Sequence, residues 1–241
     1  EIKKTKGADG IPLDGIPFHP YYTVKDILGS VVFLAIFAFV IFFMPEMNGY
    51  FLEHANFDPA NALNTPDHIA PIWYFTPFYT VLRAIPDPFL GFMMMAMAIV
   101  VLFLLPWIDR NPIKSIRYRS TLFKVNLIIF VITFIILGYL GLKPVTDLYS
   151  QLALRFTELY FLFFFVLWAY SKPRSGGFWI GSFIVLLVGI TAYDFLANSS
   201  EQPDLIWKTW VIPAAYLFIT LLLPQFTNWD AEKQVPERVT S

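Results

Sequence analysis

Lys25 and Asp26 are adjacent, at the end of a segment (Phe18-His-Pro-Tyr-Tyr-Thr-Val-Lys-Asp26) that runs into a long apolar stretch. An ammonium and a carboxylate at a membrane surface can hand protons to an oxygen whose basicity rises as it accepts electrons. The same two residues also fit a solvated pair ahead of a helix, with Asp26 favoured by the positive end of the helix dipole. His19, in a Pro-flanked turn, reads as structural, with direct proton carriage as the alternative. A second group gathers Asp67, His68, Trp73, Tyr74, Phe75, Tyr79 and Arg83 in one short stretch. The rings suit an aromatic belt at a membrane interface. Arg83 follows Tyr79 by four residues, on the same helix face. An arginine at such a depth is expected to pair with a carboxylate or with backbone carbonyls, a structural role. Arg155 and Glu158 are three residues apart at the start of another apolar run and read as a structural ion pair near the outer interface, with proton transfer as the alternative. The chain has no cysteine, so disulfides, thiolate metal sites and cysteine nucleophiles are excluded.

The elements that must position these residues are membrane spans. Hydrophobic residues make up 57% of the chain and charged ones 15%, against about 25% charged in a soluble domain. Apolar runs cover Ile27–Met44, Phe89–Leu105, Leu122–Leu142, Phe156–Tyr170 and Gly177–Leu196, with Trp210–Leu223 the weakest. About 20 helical residues cross a hydrocarbon core of about 30 Å. The expected fold is therefore an all-α membrane protein of about six transmembrane helices, plus a short interfacial helix in the first outer loop. That loop, residues 45–88, is long, acidic and Pro-rich. Trp107, Trp168, Trp179, Trp207 and Trp210 fall at span ends and read as an aromatic belt. Gly177 and Gly181 have the spacing that lets helices pack closely.

Lysine and arginine favour cytoplasmic loops. With the N-terminus inside, Lys3, Lys4, Lys6, Lys25, Arg110, Lys114, Arg117, Arg119, Lys124, Lys172, Arg174, Lys233 and Arg238 fall inside; only Arg83, Lys143, Arg155 and Lys208 do not. Six spans then leave both termini cytoplasmic. A formal net charge of -1 gives no indication of nucleic-acid binding.

Two segments carry a family resemblance. Ile16–Asp26 and Leu63–Pro86, in that order and with one span between them, resemble the C-terminal half of cytochrome b from quinol–cytochrome c oxidoreductase (bc1-type) complexes. The resemblance runs from about Ile16 to about Tyr170, and the tail Lys233–Ser241 is similar to proteobacterial tails. It implies a bacterial inner membrane, a dimeric complex with a Rieske iron–sulfur protein and cytochrome c1, and ubiquinol and ubiquinone as substrates. It implies that Phe18, Tyr22, Lys25 and Asp26 belong to the inner, quinone-reduction site. Pro71, Ile72, Trp73, Tyr74, Phe75 and Tyr79, with Met95 from the next span, would line the outer, quinol-oxidation site. The family motif is Pro-Glu-Trp-Tyr; here Ile72 stands at the acidic position and cannot accept a proton, so the proton exit would differ, with His68, the catalytic candidate, Asp67 and water held by Tyr79 able to serve. Leu63–Pro66 would meet the iron–sulfur protein. Two haem b groups are implied, but His19, His54 and His68 all lie outside the spans. Their ligands would come from an N-terminal half of cytochrome b, and this stretch alone would be inactive. The chain begins at Glu1 and is expected to be the C-terminal part of a longer protein.

By this reading residues 1–26 form a cytoplasmic segment with quinone-reduction residues, 27–171 the cytochrome b C-terminal domain, 172–226 an extra helical pair and 227–241 a cytoplasmic tail. A secondary transporter is the alternative of another class, disfavoured by the lack of a repeat and of mid-span polar groups; a non-catalytic assembly subunit is the third.

Overall fold

The computed structural model describes residues 17–49, 51–52, 57–61, 63, 69–113, 115–173, 175–197 and 203–234. They fall into two units, one containing the first span and the other residues 61–233. All regular structure among them is helical. Five helices are long and apolar enough to cross a membrane, and a sixth apolar helix is shorter. This is a multi-pass, all-α membrane protein.

In the first unit, α1 (Tyr21–Phe43) has no buried residue and no charge after Asp26. It starts six residues before the apolar run does. It ends at Met44, the residue before Pro45, because a residue preceding proline is pushed out of helical conformation.

In the second unit, α2 (Thr76–Ala84) is the short helix of the long loop. It is strongly amphipathic, and its Thr76, Pro77, Thr80, Val81 and Ala84 are buried. Then α3 (Pro88–Phe103) opens on an Asp87 cap, whose carboxylate accepts from the Leu90 amide at 2.7 Å. A break at Leu104 separates it from α4 (Leu105–Ile108). Pro106 explains the break, since it has no N–H to continue the ladder. α5 (Thr121–Gly141) and α6 (Asp147–Ala169) are capped by the hydroxyls of Ser120 and Thr146. α7 (Gly176–Ala197) and α8 (Pro203–Leu217) follow. A π-turn at Phe218–Leu222 joins α8 to α9 (Leu223–Phe226). Pro224 has no N–H for the Thr220 carbonyl; the Tyr170 hydroxyl donates to it instead, at 2.9 Å.

Several sequence expectations change. The last span, Asp204–Phe226, has the lowest hydropathy of the five but is 23 residues long, whereas the helix at Pro88–Phe103 falls short because of Pro106. α6 begins at Asp147, nine residues before the apolar run, so Arg155 sits about 12 Å into the helix rather than at its start. Trp179 is not part of an interfacial belt; it is buried and stacked on Tyr170 at 4.2 Å. A Cβ added at Gly177 or Gly181 would meet nothing within 4 Å, so their spacing serves no helix contact among the described residues.

The core of this unit runs through Val81, Ala98, Leu137, Tyr160, Phe163 and Phe164, which ties α2, α3, α5 and α6 together. A second cluster around Leu162, Val166, Trp179, Tyr216 and Leu221 binds α6 to α7 and α8.

Candidate functional site

The inner-site residues lie at the start of α1. Phe18 and Tyr22 stack at 5.9 Å between ring centroids, and the Lys25 ammonium lies over the Tyr22 ring at 5.5 Å. Lys25 and Asp26 are both exposed. Neighbours in a helix do not face each other, so the two project in different directions rather than forming a pair. Because α1 begins at Tyr21, Asp26 lies beyond the first turn, where the helix dipole no longer favours it. His19 is exposed, with Nδ1 3.3 Å from the Thr23 hydroxyl.

The outer-site segment is held by α2. The Ile72 carbonyl accepts from the Phe75 amide at 2.8 Å, and the Trp73 carbonyl from the Thr76 hydroxyl at 2.6 Å. These bonds turn the chain into the helix. Ile72, Trp73 and Tyr74 are exposed, and the last two rings meet edge-on at 5.6 Å. Phe75 is half-buried and leads through Phe78 to Phe134 of α5. Pro71, Tyr79 and Met95 are half-buried. His68, Asp67 and residues 64–66 lie outside the described residues.

What fixes α2 is polar. Thr80 is fully buried, and its hydroxyl donates to the Leu137 carbonyl of α5 at 2.7 Å. Arg83 donates to the Leu140 carbonyl at 2.8 Å while its guanidinium lies 5.5 Å from the Tyr79 ring. The Leu140 carbonyl also accepts from the Lys143 amide at 3.1 Å, so Arg83 adds a second donor at the end of α5. Gly141 permits the approach: a Cβ there would lie 2.6 Å from the Thr76 carbonyl oxygen. The sequence assigned Arg83 to backbone carbonyls or a carboxylate; it takes the carbonyl.

Arg155 has more partners than the sequence suggested. It is fully buried and bonds Glu158 at 2.9 Å, Asp194 of α7 at 2.7 Å and the Thr209 hydroxyl of α8 at 3.3 Å. Asp194 and Thr209 were missed. Their signal was present as polar residues near the ends of otherwise apolar runs, but Glu158, three residues away, already supplied a partner.

At the other end of this unit, Arg119 bonds Asp109 at 2.6 Å and the Ile113 carbonyl. The C-terminal segment lies against the same loop: Leu122 donates to the Trp229 carbonyl, Lys233 to that of Tyr118, and Asn111 to Glu232.

Haem b requires axial ligands inside a helical bundle. His19 is the one histidine among the described residues; it is exposed and outside the spans, so these residues offer no axial pair.

Residues 59–161 match a family model described as cytochrome b (C-terminal)/b6/petD. Cytochrome b of Allochromatium vinosum is 54% identical over 174 residues, covering 70% of this chain and 42% of that protein. Cytochrome b of Rhodospirillum rubrum is 44% identical over 182 residues, covering 72% and 44%. A solved chain of a hyperthermophilic respiratory Complex III superposes with a TM-score of 0.60 at 41% identity, covering 69% of this chain and 40% of that one. The chain spans less than half the length of these relatives. The family match ends within α6, so α7 and α8 lie beyond it.

Proposed function

Through residues 59–161 the chain belongs to the cytochrome b C-terminal family, and we propose that it forms one wall of the quinol-oxidation and quinone-reduction pockets of a bc1-type complex. The observation that carries this reading is the mounting of α2. A helix locked by Thr80 and Arg83 onto the end of α5 holds Pro71–Phe75 rigidly while leaving Ile72, Trp73 and Tyr74 exposed. Exposed aromatics on a fixed support suit half of a pocket for a flat, apolar substrate, with the other half brought by a partner.

In this reading a quinol held by Pro71, Ile72, Trp73, Tyr74, Phe75, Tyr79 and Met95 gives up two electrons and two protons. Ile72 accepts neither proton. His68 takes the place of the absent carboxylate, and Arg83 keeps α2 in position. At the other site Phe18 and Tyr22 hold the quinone ring, and Lys25 and Asp26 deliver protons as it is reduced. Their separate exposure suits two deliveries to two oxygens. The substrates are ubiquinol and ubiquinone. The electron-carrying haems would be ligated by an N-terminal half of cytochrome b, and the partners would be that half, a Rieske iron–sulfur protein and cytochrome c1 in a dimeric complex. The setting is a bacterial inner membrane, which the bacterial relatives support, and both termini are cytoplasmic.

The test is turnover of the assembled complex. His68→Asn should lower quinol-driven cytochrome c reduction by about 100-fold, the scale of a lost general base, with the complex still assembled. The Lys25→Met, Asp26→Asn double variant should slow quinone reduction at the other site and leave quinol binding at the first unchanged. Full turnover in both would refute the two assignments.

A further inference from the structure

A buried charge costs several kcal/mol unless an opposite charge and hydrogen bonds compensate it. The Arg155 cluster is unbalanced on that count. It holds one cation and two carboxylates, Glu158 on α6 and Asp194 on α7. Arg155 is fully buried, Asp194 has 5% of its side chain exposed and Glu158 14%. Each carboxylate gives one oxygen to a terminal nitrogen of the same guanidinium, which sets the two groups side by side. The other oxygens, Glu158 Oε2 and Asp194 Oδ1, are buried and have no hydrogen-bond partner among the described residues.

Among the described residues, nothing packed around the cluster supplies the missing charge. From α6 the cation is Arg155 itself. From α7 the remaining titratable group is Tyr193, whose phenol is neutral. From α8 comes the Thr209 hydroxyl, 3.0 Å from the Leu205 carbonyl and 3.1 Å from that of Ile206. α3 and the turn before it bring the apolar Leu90, Met94 and Ile85. A surplus negative charge and an unsatisfied acceptor in one place have a common remedy, a proton on one carboxylate. We propose that the Glu158–Asp194 pair binds one proton within the membrane-spanning helices, and that Glu158 is the member that exchanges it.

Access assigns the exchange to Glu158. It lines a groove of about 620 Å³ between α3, α6 and α7, whose walls are apolar except for Thr157, Tyr193 and Glu158 itself; Asp194 is not among them. The groove therefore borders Glu158 and not Asp194. The step is a bare proton transfer. An O–H bond forms at the carboxylate on uptake and breaks on release, Arg155 keeps its charge, and no electrons move. α7, which supplies Asp194 and one wall of the groove, lies beyond the family match, whereas Arg155 and Glu158 lie within it.

Infrared spectroscopy of the full chain in phospholipid vesicles near neutral pH reads the proton directly. Wild type should show a protonated-carboxyl band, shifted in heavy water, with an intensity of about one group per chain. Glu158→Gln and Asp194→Asn each leave one carboxylate facing one guanidinium, so each variant is charge-balanced and each should lose the band. Carbon-13 labelling of the glutamate carboxyls should shift the wild-type band without any substitution. Absence of the band in wild type means that both carboxylates are ionised and overturns the proposal, as does a band that persists in both variants. A band that moves only on aspartate labelling overturns the role given to Glu158.

Discussion

Single side chains decide how the helices of the second unit are joined. Arg155 is the clearest. Removing one partner of a buried ion pair leaves the other charge uncompensated, at a cost of about 3–5 kcal/mol. Arg155→Gln strands two carboxylates at once, on α6 and α7. The variant should unfold at a markedly lower temperature in detergent, and the loss should shrink when Glu158→Gln and Asp194→Asn are added. If the triple variant is no more stable than Arg155→Gln, the three residues do not act as a unit. Tyr160 is a milder case. Its hydroxyl donates to the Ala98 carbonyl at 2.7 Å, linking α6 to α3. Tyr160→Phe should cost about 1 kcal/mol, the net value of one such bond, measured by the same unfolding.

At the scale of elements, the spans were legible and their joints were not. Apolar length alone located α1, α3, α5 and α7 to within a turn or two, because lipid demands continuous apolar helix. It underestimated α6 and α8, whose first turns carry Asp147, Gln151, Asp204 and Lys208 and so look like loop. The short helix after the aromatic segment was also expected, but not what holds it. Thr76 and Thr80 look ordinary in the sequence, yet both are buried and make the bonds that fix α2. Pairings between residues 57 positions apart leave no local pattern to read. The fit of α2 on α5 has its own test. A methyl at Gly141 would meet the Thr76 carbonyl at 2.6 Å and the Thr80 hydroxyl at 2.8 Å. Since the first of these is backbone, α2 must shift. Gly141→Ala should destabilise by about 1–3 kcal/mol and lower quinol oxidation, while Gly138→Ala, with 3.6 Å to its nearest neighbour, should do neither. Equal effects from the two would separate the mounting of α2 from the chemistry.

For the whole molecule, what matters is which loops share a face. Within the second unit the bonds at each end agree with the loop charges. Arg119, Ser171 and Lys233 all bond the segment between α3 and α5, so Arg110, Arg117, Lys124 and Lys172 gather at that end. Arg83, Lys143 and Arg155 belong to the opposite end, with α2 and the Asp194 end of α7. Basic loops favour the cytoplasm, which predicts that the first end faces inward and the aromatic segment outward. The proposed pair of quinone sites requires Lys25 on that same inward side, which the positive charge of the sequence before α1 predicts. The absence of native cysteine makes this directly measurable. Arg117→Cys and Lys25→Cys should react with a membrane-impermeant thiol reagent from the cytoplasmic face of sealed vesicles, and Lys143→Cys only from the other. If the residues at 25 and 143 react from one face, the two aromatic segments lie on the same side, and no electron path between them crosses the membrane.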